Sequence, residues 1–227
     1  MDAQPRERAL AESLRRASTL VFDFDGTLVD SNAIKWRAFD RCFAQFPEHR
    51  AEIQAYCHAT HHAPRWEKFQ HVYEHIVGLA YTPEIGAQLS AQFDRDTTAD
   101  IIAAEEISGV TCFLSLMGAQ RLMGLLSNTP HEILLHILEQ RGWRSWFALV
   151  QGAPVHKAGW LVELKAKQAL AEQDLIFFGD TPEDAQAADE AGCLFVGVGA
   201  ALQGTAAYWI ADFTALSRAT PQREACA

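Results

Sequence analysis

Two aspartates, Asp23 and Asp25, close an apolar run in the segment Val21-Phe22-Asp23-Phe24-Asp25-Gly26-Thr27-Leu28-Val29-Asp30. Leu20, Val21, Phe22 and Phe24 leave no polar face, the mark of a strand buried on both sides of a parallel sheet. A carboxylate taken out of water without a partner costs several kcal/mol or gives up its charge. Two acids behind a buried strand therefore signal a bound group, and the carboxyl ends of such strands are where open α/β sheets hold ligands. Gly26 lets the chain turn sharply away from the sheet.

Three later segments carry chemistry that complements this pair. Leu126-Ser127-Asn128-Thr129-Pro130 ends an apolar run in a hydroxyl and an amide. Thr129 and Glu132 fit a capping box with Pro130 at the first helical position, which predicts a helix start offering backbone N–H groups to an anion. Lys157 supplies a cation at the entry to a helix predicted over 158–172. Phe177-Phe178-Gly179-Asp180-Thr181-Pro182-Glu183-Asp184 is another strand tip carrying acids. Together these segments offer a nucleophile, an anion cradle, a cation and hard oxygen donors of the kind that suit Mg²⁺. Singly, each later segment has a plainer reading. Asp184 fits the N3 position of a capping box with Thr181, Ser127-Asn128 fits a loop, and Lys157 fits a solvated surface. Asp23 and Asp25 do not, because no cap or turn needs both acids behind a buried strand.

The elements that must position these residues follow from pattern and length. Strand-like runs occur at 19–24, 121–126, 147–150, 174–178 and 194–198, and helical patterns at 130–141, 158–172 and 182–191 alternate with the later ones. That order predicts an α/β fold, a Rossmann-like doubly wound parallel sheet. Between the first strand and the rest, helix-like stretches at 31–46, 48–61, 65–77 and 83–103 carry almost no strand signal. Thr82-Pro83-Glu84 is a strong helix start, with Thr as N-cap and Pro at the first helical position. The expected organisation is a core from 1–30 and 107–227 with an inserted all-α cap domain over 31–106. The tail from about 217 is expected to be loosely ordered.

Composition narrows the partners. The 227 residues are 49% hydrophobic, enough for one full core and a smaller module. Nineteen Lys and Arg stand against 29 Asp and Glu, a formal charge of −10, which argues against nucleic acid or an anionic membrane as a partner. An anionic substrate would be repelled at long range, so local cations and helix N-termini must hold it. No apolar run reaches the length of a membrane span, and residues 1–18, with four arginines, do not read as a signal peptide. Cys42, Cys57, Cys112, Cys193 and Cys226 are odd in number and lack metal-type spacing, which favours reduced thiols and a cytoplasmic location.

The order of the four segments resembles the haloacid dehalogenase superfamily of hydrolases over nearly the whole chain. Asp23-Phe24-Asp25-Gly26-Thr27-Leu28 is similar to its first motif, Ser127 to its second, Lys157 to its third, and Gly179-Asp180 with Asp184 to its fourth. Asp184 to Gly192 also follows the family's usual continuation. Prolines often follow the third-motif lysine, whereas Ala158-Gly159-Trp160 follow here, so Lys165 and Lys167 are alternatives to Lys157. The resemblance implies that Asp23 attacks phosphorus and becomes an aspartyl phosphate, while Asp25 serves as acid and then base. It implies Mg²⁺ held by Asp23, the Asp25 carbonyl, Asp180 and Asp184. Ser127, the Asn128 backbone, Lys157, Gly26 and Thr27 would then surround the phosphoryl group. An acid at position 25 favours phosphate esters over halides, because a halide leaves without a proton. The resemblance therefore implies a phosphomonoesterase acting on a small phosphorylated metabolite, with a sugar phosphate as one candidate. A phosphosugar mutase of the same superfamily, or a binding module without turnover, remain the alternatives.

The insertion resembles the family's first class of helical cap, which closes over the site. Within it, Arg65 and Lys68 belong to a stretch similar to Ser-Arg-x-x-Lys-Phe of some members associated with carbohydrate pathways. Three residues apart, they share a helical face and are expected either to reach a substrate's non-reacting part or to decorate a solvated helix. His58/His62 and His71/His75 have helical metal spacing without carboxylates around them, and Trp36 and Trp66 are expected in the cap core.

Overall fold

The computed structural model describes residues 3–60 and 63–219. The chain divides into two compact units, one formed by Met1–Asp30 with Glu105–Ala227 and the other by Ser31–Ala104.

The first unit opens with helix α1 (Ala3–Arg16) and strand β1 (Thr19–Phe22). Every residue of β1 is buried, because its side chains alternate between two covered faces. Phe22 points into a cluster of rings, stacked on Phe178 with centroids 4.9 Å apart and edge-on to Phe113 and Phe147. Val21 faces the opposite layer, with Leu126, Leu161, Leu175 and Phe177. Two helical layers over one parallel sheet thus account for an apolar run without polar alternation.

In the second unit, α2 (Asn32–Cys42), α3 (Arg50–Ala59), α4 (Arg65–His71) and α5 (Pro83–Ala103) pack around Phe39, Phe43, Phe69 and Phe93. A π-helical segment, Val72–Val77, follows α4 and ends at Gly78 with φ of 75°. Helix α5 starts as its sequence predicts: the Thr82 hydroxyl accepts from the Ile85 N–H at 3.3 Å. The two tryptophans depart from expectation. Trp36 is 37% and Trp66 50% exposed, since the phenylalanines already fill this small core. Trp36 stacks on His58 instead, with ring centroids 4.6 Å apart. His62 lies outside the described residues.

The chain then returns through α6 (Val110–Gly118), β2 (Leu122–Pro130), α7 (His131–Gln140), β3 (Leu149–Ala153), α8 (Lys157–Gln168), β4 (Leu175–Gly179), α9 (Pro182–Ala191), β5 (Leu194–Val198), β6 (Tyr208–Ile210) and α10 (Thr214–Ala219). All strand pairs are parallel, in the order β3-β2-β1-β4-β5-β6. The order reverses at β1, so the crevice at its carboxyl end is the switch point where such sheets bind ligands. Sequence reading omits α6, α10 and β6. Helix α6 spans only nine residues, although its buried Val110, Phe113, Leu114 and Met117 keep the helical i, i+3, i+4, i+7 spacing; β6 has three residues, too few for a pattern. Most of the tail expected to be loose lies outside the described residues.

Candidate active site

Four strand ends deliver the reactive groups. Beyond β1, the Asp23 N–H still donates to the Phe178 carbonyl at 2.8 Å, which extends the ladder by one residue and fixes the Asp23 backbone at the sheet's tip. The chain then folds back: Gly26, at φ of 81°, donates from its N–H to the Val29 carbonyl at 2.8 Å, and Leu28 donates to Phe24 at 2.9 Å. Only glycine takes that φ without strain, so Gly26 turns the chain back just after the Asp23/Asp25 pair.

Lys157, the first residue of α8, lies at the centre. Its Nζ donates to Asp23 Oδ1 and to Asp184 Oδ1, both at 2.7 Å. Asp180 completes the group: ligand oxygens of Asp23, Asp180 and Asp184 all lie within 4.8 Å of one another. The Thr27 hydroxyl, fully buried, donates to Asp180 Oδ1 at 3.2 Å and ties the first motif to the fourth. The alternative lysines are engaged elsewhere. Lys165 Nζ donates to the Ala191 carbonyl at 2.9 Å and to that of Gly192, and exposed Lys167 pairs with Glu163 at 3.0 Å.

Asp184 satisfies both of its sequence readings, one with each oxygen. Oδ2 accepts from the Thr181 hydroxyl at 2.7 Å and the Thr181 N–H at 3.2 Å, while Thr181 Oγ1 accepts from the Asp184 N–H, a complete capping box. Oδ1 is the atom that meets Lys157. The cap thus aims the carboxylate. Gly179 makes room for it: a Cβ there would come within 2.5 Å of the Asp184 Cβ.

The second motif departs from the expected capping box. Helix α7 begins at His131 with Pro130 in the N-cap position and no side-chain cap, because Pro130, with ψ of 140°, is still extended. The strand runs on through Thr129, whose hydroxyl donates to Asp25 Oδ2 at 2.9 Å. Ser127 Oγ lies 3.4 Å from the same oxygen and accepts the Thr129 N–H at 3.0 Å. Asn128 is the next residue of the strand, between these two. The sequence signal for Thr129 was present, a hydroxyl two residues beyond Ser127 on an extended strand, but the adjoining Pro130 and Glu132 pointed to a cap.

Arg65 and Lys68 both have partners within the helical unit. Arg65 grips Asp94 with two bonds of 2.5 and 3.1 Å and lies 5.3 Å from the Phe93 ring centre. Lys68 is 3% exposed, with Nζ 4.7 Å from the Phe39 ring centre and 3.5 Å from the Cys57 carbonyl. Arg65 is half-buried and Lys68 buried, each beside an aromatic ring rather than on a solvated helix face.

Electrostatics set the strand-tip cluster apart. Burial, aided by the charges of Asp184, Asp180 and Asp25 and opposed by Lys157, pushes the Asp23 carboxyl up to about 8. Burial works against the charge of Lys157, but Asp184 and Asp23 outweigh it and hold the ammonium above the usual lysine range. Three acids crowd one ammonium, and their oxygens are hard donors of the type Mg²⁺ takes. Among the described residues this is the one group of acidic, histidine or cysteine side chains close enough to share a metal ion. The donor set fits a divalent cation.

A parallel sheet with reactive groups at its switch point and an all-α insertion after β1 defines a hydrolase fold that sequence comparison identifies. A model of the haloacid dehalogenase-like hydrolase family matches residues 17–192, and the chain belongs to that family. It is 27% identical over 183 residues to a phosphoglycolate phosphatase from Synechococcus elongatus, covering 79% of this chain and 82% of the relative. A phosphoglycolate phosphatase from Photobacterium profundum is 25% identical over 207 residues, with the same coverage of 79% and 82%. In fold it is similar to CbbY from Rhodobacter sphaeroides, solved with phosphate, at a TM-score of 0.69 and 16% identity over 87% of this chain and 95% of that one. A haloacid dehalogenase-like hydrolase from Streptococcus pneumoniae gives a TM-score of 0.63 and 16% identity over 86% and 94%.

Proposed function

We propose that the protein is a divalent-metal-dependent phosphatase that hydrolyses a small phosphate monoester through an aspartyl phosphate on Asp23. The observation that carries this reading is the meeting of Asp23, Lys157 and Asp184 at 2.7 Å contacts, with Asp180 in the same cluster. Asp23, Asp180 and Asp184, with the Asp25 backbone carbonyl, would hold Mg²⁺. When bound, the ion supplies positive charge that offsets the crowded carboxylates and the phosphate dianion.

Asp23 attacks phosphorus, so the bond to the leaving oxygen breaks as the Asp23–phosphorus bond forms. Asp25 gives its proton to that oxygen, then takes one from the water that hydrolyses the acyl phosphate, help worth ~10²–10⁴-fold. Lys157 bridges Asp23 and Asp184 at rest and would follow charge onto the phosphoryl oxygens. Ser127 Oγ and the Asn128 backbone complete the cradle, with Gly26 and Thr27 forming its wall. The helical unit serves as the cap, and Arg65 and Lys68 are assigned to its integrity. No helix among the described residues is long and apolar enough to cross a membrane. Among the described residues Cys42, Cys57, Cys112 and Cys193 form no disulfide, in keeping with a cytoplasmic location.

The relatives make 2-phosphoglycolate the first substrate to try, beside sugar phosphates. Purified protein should release inorganic phosphate from at least one member of a metabolite panel when Mg²⁺ is present and cease when EDTA is added. Release that survives EDTA, or that persists at the wild-type rate in Asp23→Asn, refutes the reading. Transfer to a second hydroxyl without free phosphate would instead mark a mutase.

A further inference from the structure

A carboxyl that hands over a proton must be aimed, and Asp25 is aimed from the second motif. Thr129 Oγ1 donates to its Oδ2 at 2.9 Å, and Ser127 Oγ lies 3.4 Å from the same atom. Ser127 already has a place in the phosphoryl cradle; Thr129 has none. Its hydroxyl is nonetheless held firmly. Thr129 is 6% exposed, and its N–H is bonded to Ser127 Oγ at 3.0 Å. From the neighbouring strand, Gly152 approaches so closely that a Cβ there would lie 2.5 Å from the Thr129 carbonyl oxygen and 2.6 Å from the His131 Cα. The Gly152 N–H donates to His131 Nδ1 at 3.2 Å, which fastens β3 to the start of α7. The backbone that presents the hydroxyl is therefore clamped between strand and helix.

We propose that Thr129 is a positioning residue that holds the Asp25 carboxyl for proton transfer to the leaving oxygen. A hydroxyl suits this task because it can donate to Oδ2 whether Asp25 is a carboxylate or carries its proton on Oδ1, which leaves Oδ1 for the transfer. One partner can thus hold Asp25 on both sides of the transfer. Thr129 is buried and β-branched, which limits its hydroxyl to few rotamers. The inference rests on the phosphatase reading and adds a residue to it.

The test compares two leaving groups in wild type, Thr129→Val, Thr129→Ala and Thr129→Ser, with circular dichroism and thermal midpoints to confirm folding. The alkoxide of 2-phosphoglycolate needs a proton to depart, whereas 4-nitrophenolate leaves unaided. In Thr129→Val, kcat/KM for 2-phosphoglycolate, or for the best alkyl phosphate found, should fall about tenfold to a hundredfold. The value for 4-nitrophenyl phosphate should fall less than about threefold, and Thr129→Ser should restore most of the loss. Thr129→Ala serves the same comparison if valine crowds the wall. Equal losses on both substrates, or no loss on either, overturn the inference while leaving the phosphatase reading intact. A wild-type protein that hydrolyses neither substrate overturns both.

Discussion

In the helical unit, buried cations are used for packing: Arg65 is matched to Asp94, and Lys68 lies over Phe39 beside a backbone carbonyl. In the α/β unit, Asp23, Asp180 and Asp184 crowd together with Lys157, so acids outnumber the ammonium that joins them. A fold needs only the first arrangement. The second stores electrostatic repulsion, and it makes physical sense only where a ligand of opposite charge completes it. The comparison also separates two motifs that look alike in sequence, each mixing charge with aromatic residues.

The sharpest way to break this contrast is to neutralise one member on each side. Asp23→Asn should lower phosphate release on the order of 10⁴-fold or more while the protein remains folded. Arg65→Ala should do the reverse: kcat and KM within about threefold of wild type, and a loss of roughly 1–3 kcal/mol in urea unfolding from the stranded Asp94 and the exposed Phe93 ring. A Km change without loss of stability would return Arg65 to the substrate side.

A smaller effect is expected at Gly179. Alanine there places a Cβ against the Asp184 side chain and must shift that carboxylate from Lys157. Steady-state assays should show a loss of about a hundredfold, the usual scale for displacing a reacting constellation by an ångström. Activity equal to wild type would mean that Asp184 can move without consequence.

pH offers a stability test with opposite signs in the two units. Asp23 is raised from 3.8 to about 8 by burial and by Asp184, Asp180 and Asp25 against the pull of Lys157. Between those values the folded protein holds a proton that the unfolded chain has released. The contribution is full below about pH 4 and is lost as pH climbs to about 8. Lys68 is lowered from 10.5 to about 8, chiefly by burial, so the unfolded chain holds the extra proton and stability rises with pH across that window. Urea midpoints in EDTA should show a shallow minimum near pH 8, with limbs of a few kcal/mol at most. Asp23→Asn should flatten the acid limb and Lys68→Met the alkaline one; the same profile in all three proteins would contradict both assignments. Smallest of all, Thr181→Val removes the α9 cap and should cost about 1 kcal/mol in the same assay.

Much of this was legible in the chain because the relevant signals are local. The buried tip at Asp23, the capping box at Thr181 and the start of α5 at Thr82 each depend on residues within one turn or one strand end. Misreadings arose where tertiary context chose between two local options. Pro130 is equally at home in a first helical turn or an extended N-cap, and pairing with β3 at Ala153 keeps it extended, which moves Thr129 from a cap into the site. Trp36 and Trp66 are apolar enough for a core, but Phe39, Phe43, Phe69 and Phe93 already occupy it. The burial of Lys68 is not legible in its own helix, because Phe39 and the Cys57 carbonyl come from other helices.

Phosphoryl transfer to Asp23 is tested most directly by acid quench during turnover. Protein mixed with ³²P-labelled substrate and Mg²⁺, quenched within milliseconds and digested, should carry label on the peptide containing Asp23, and Asp23→Asn should carry none. Label on another residue, or turnover that proceeds with no labelled protein at any time, would contradict the mechanism at its root.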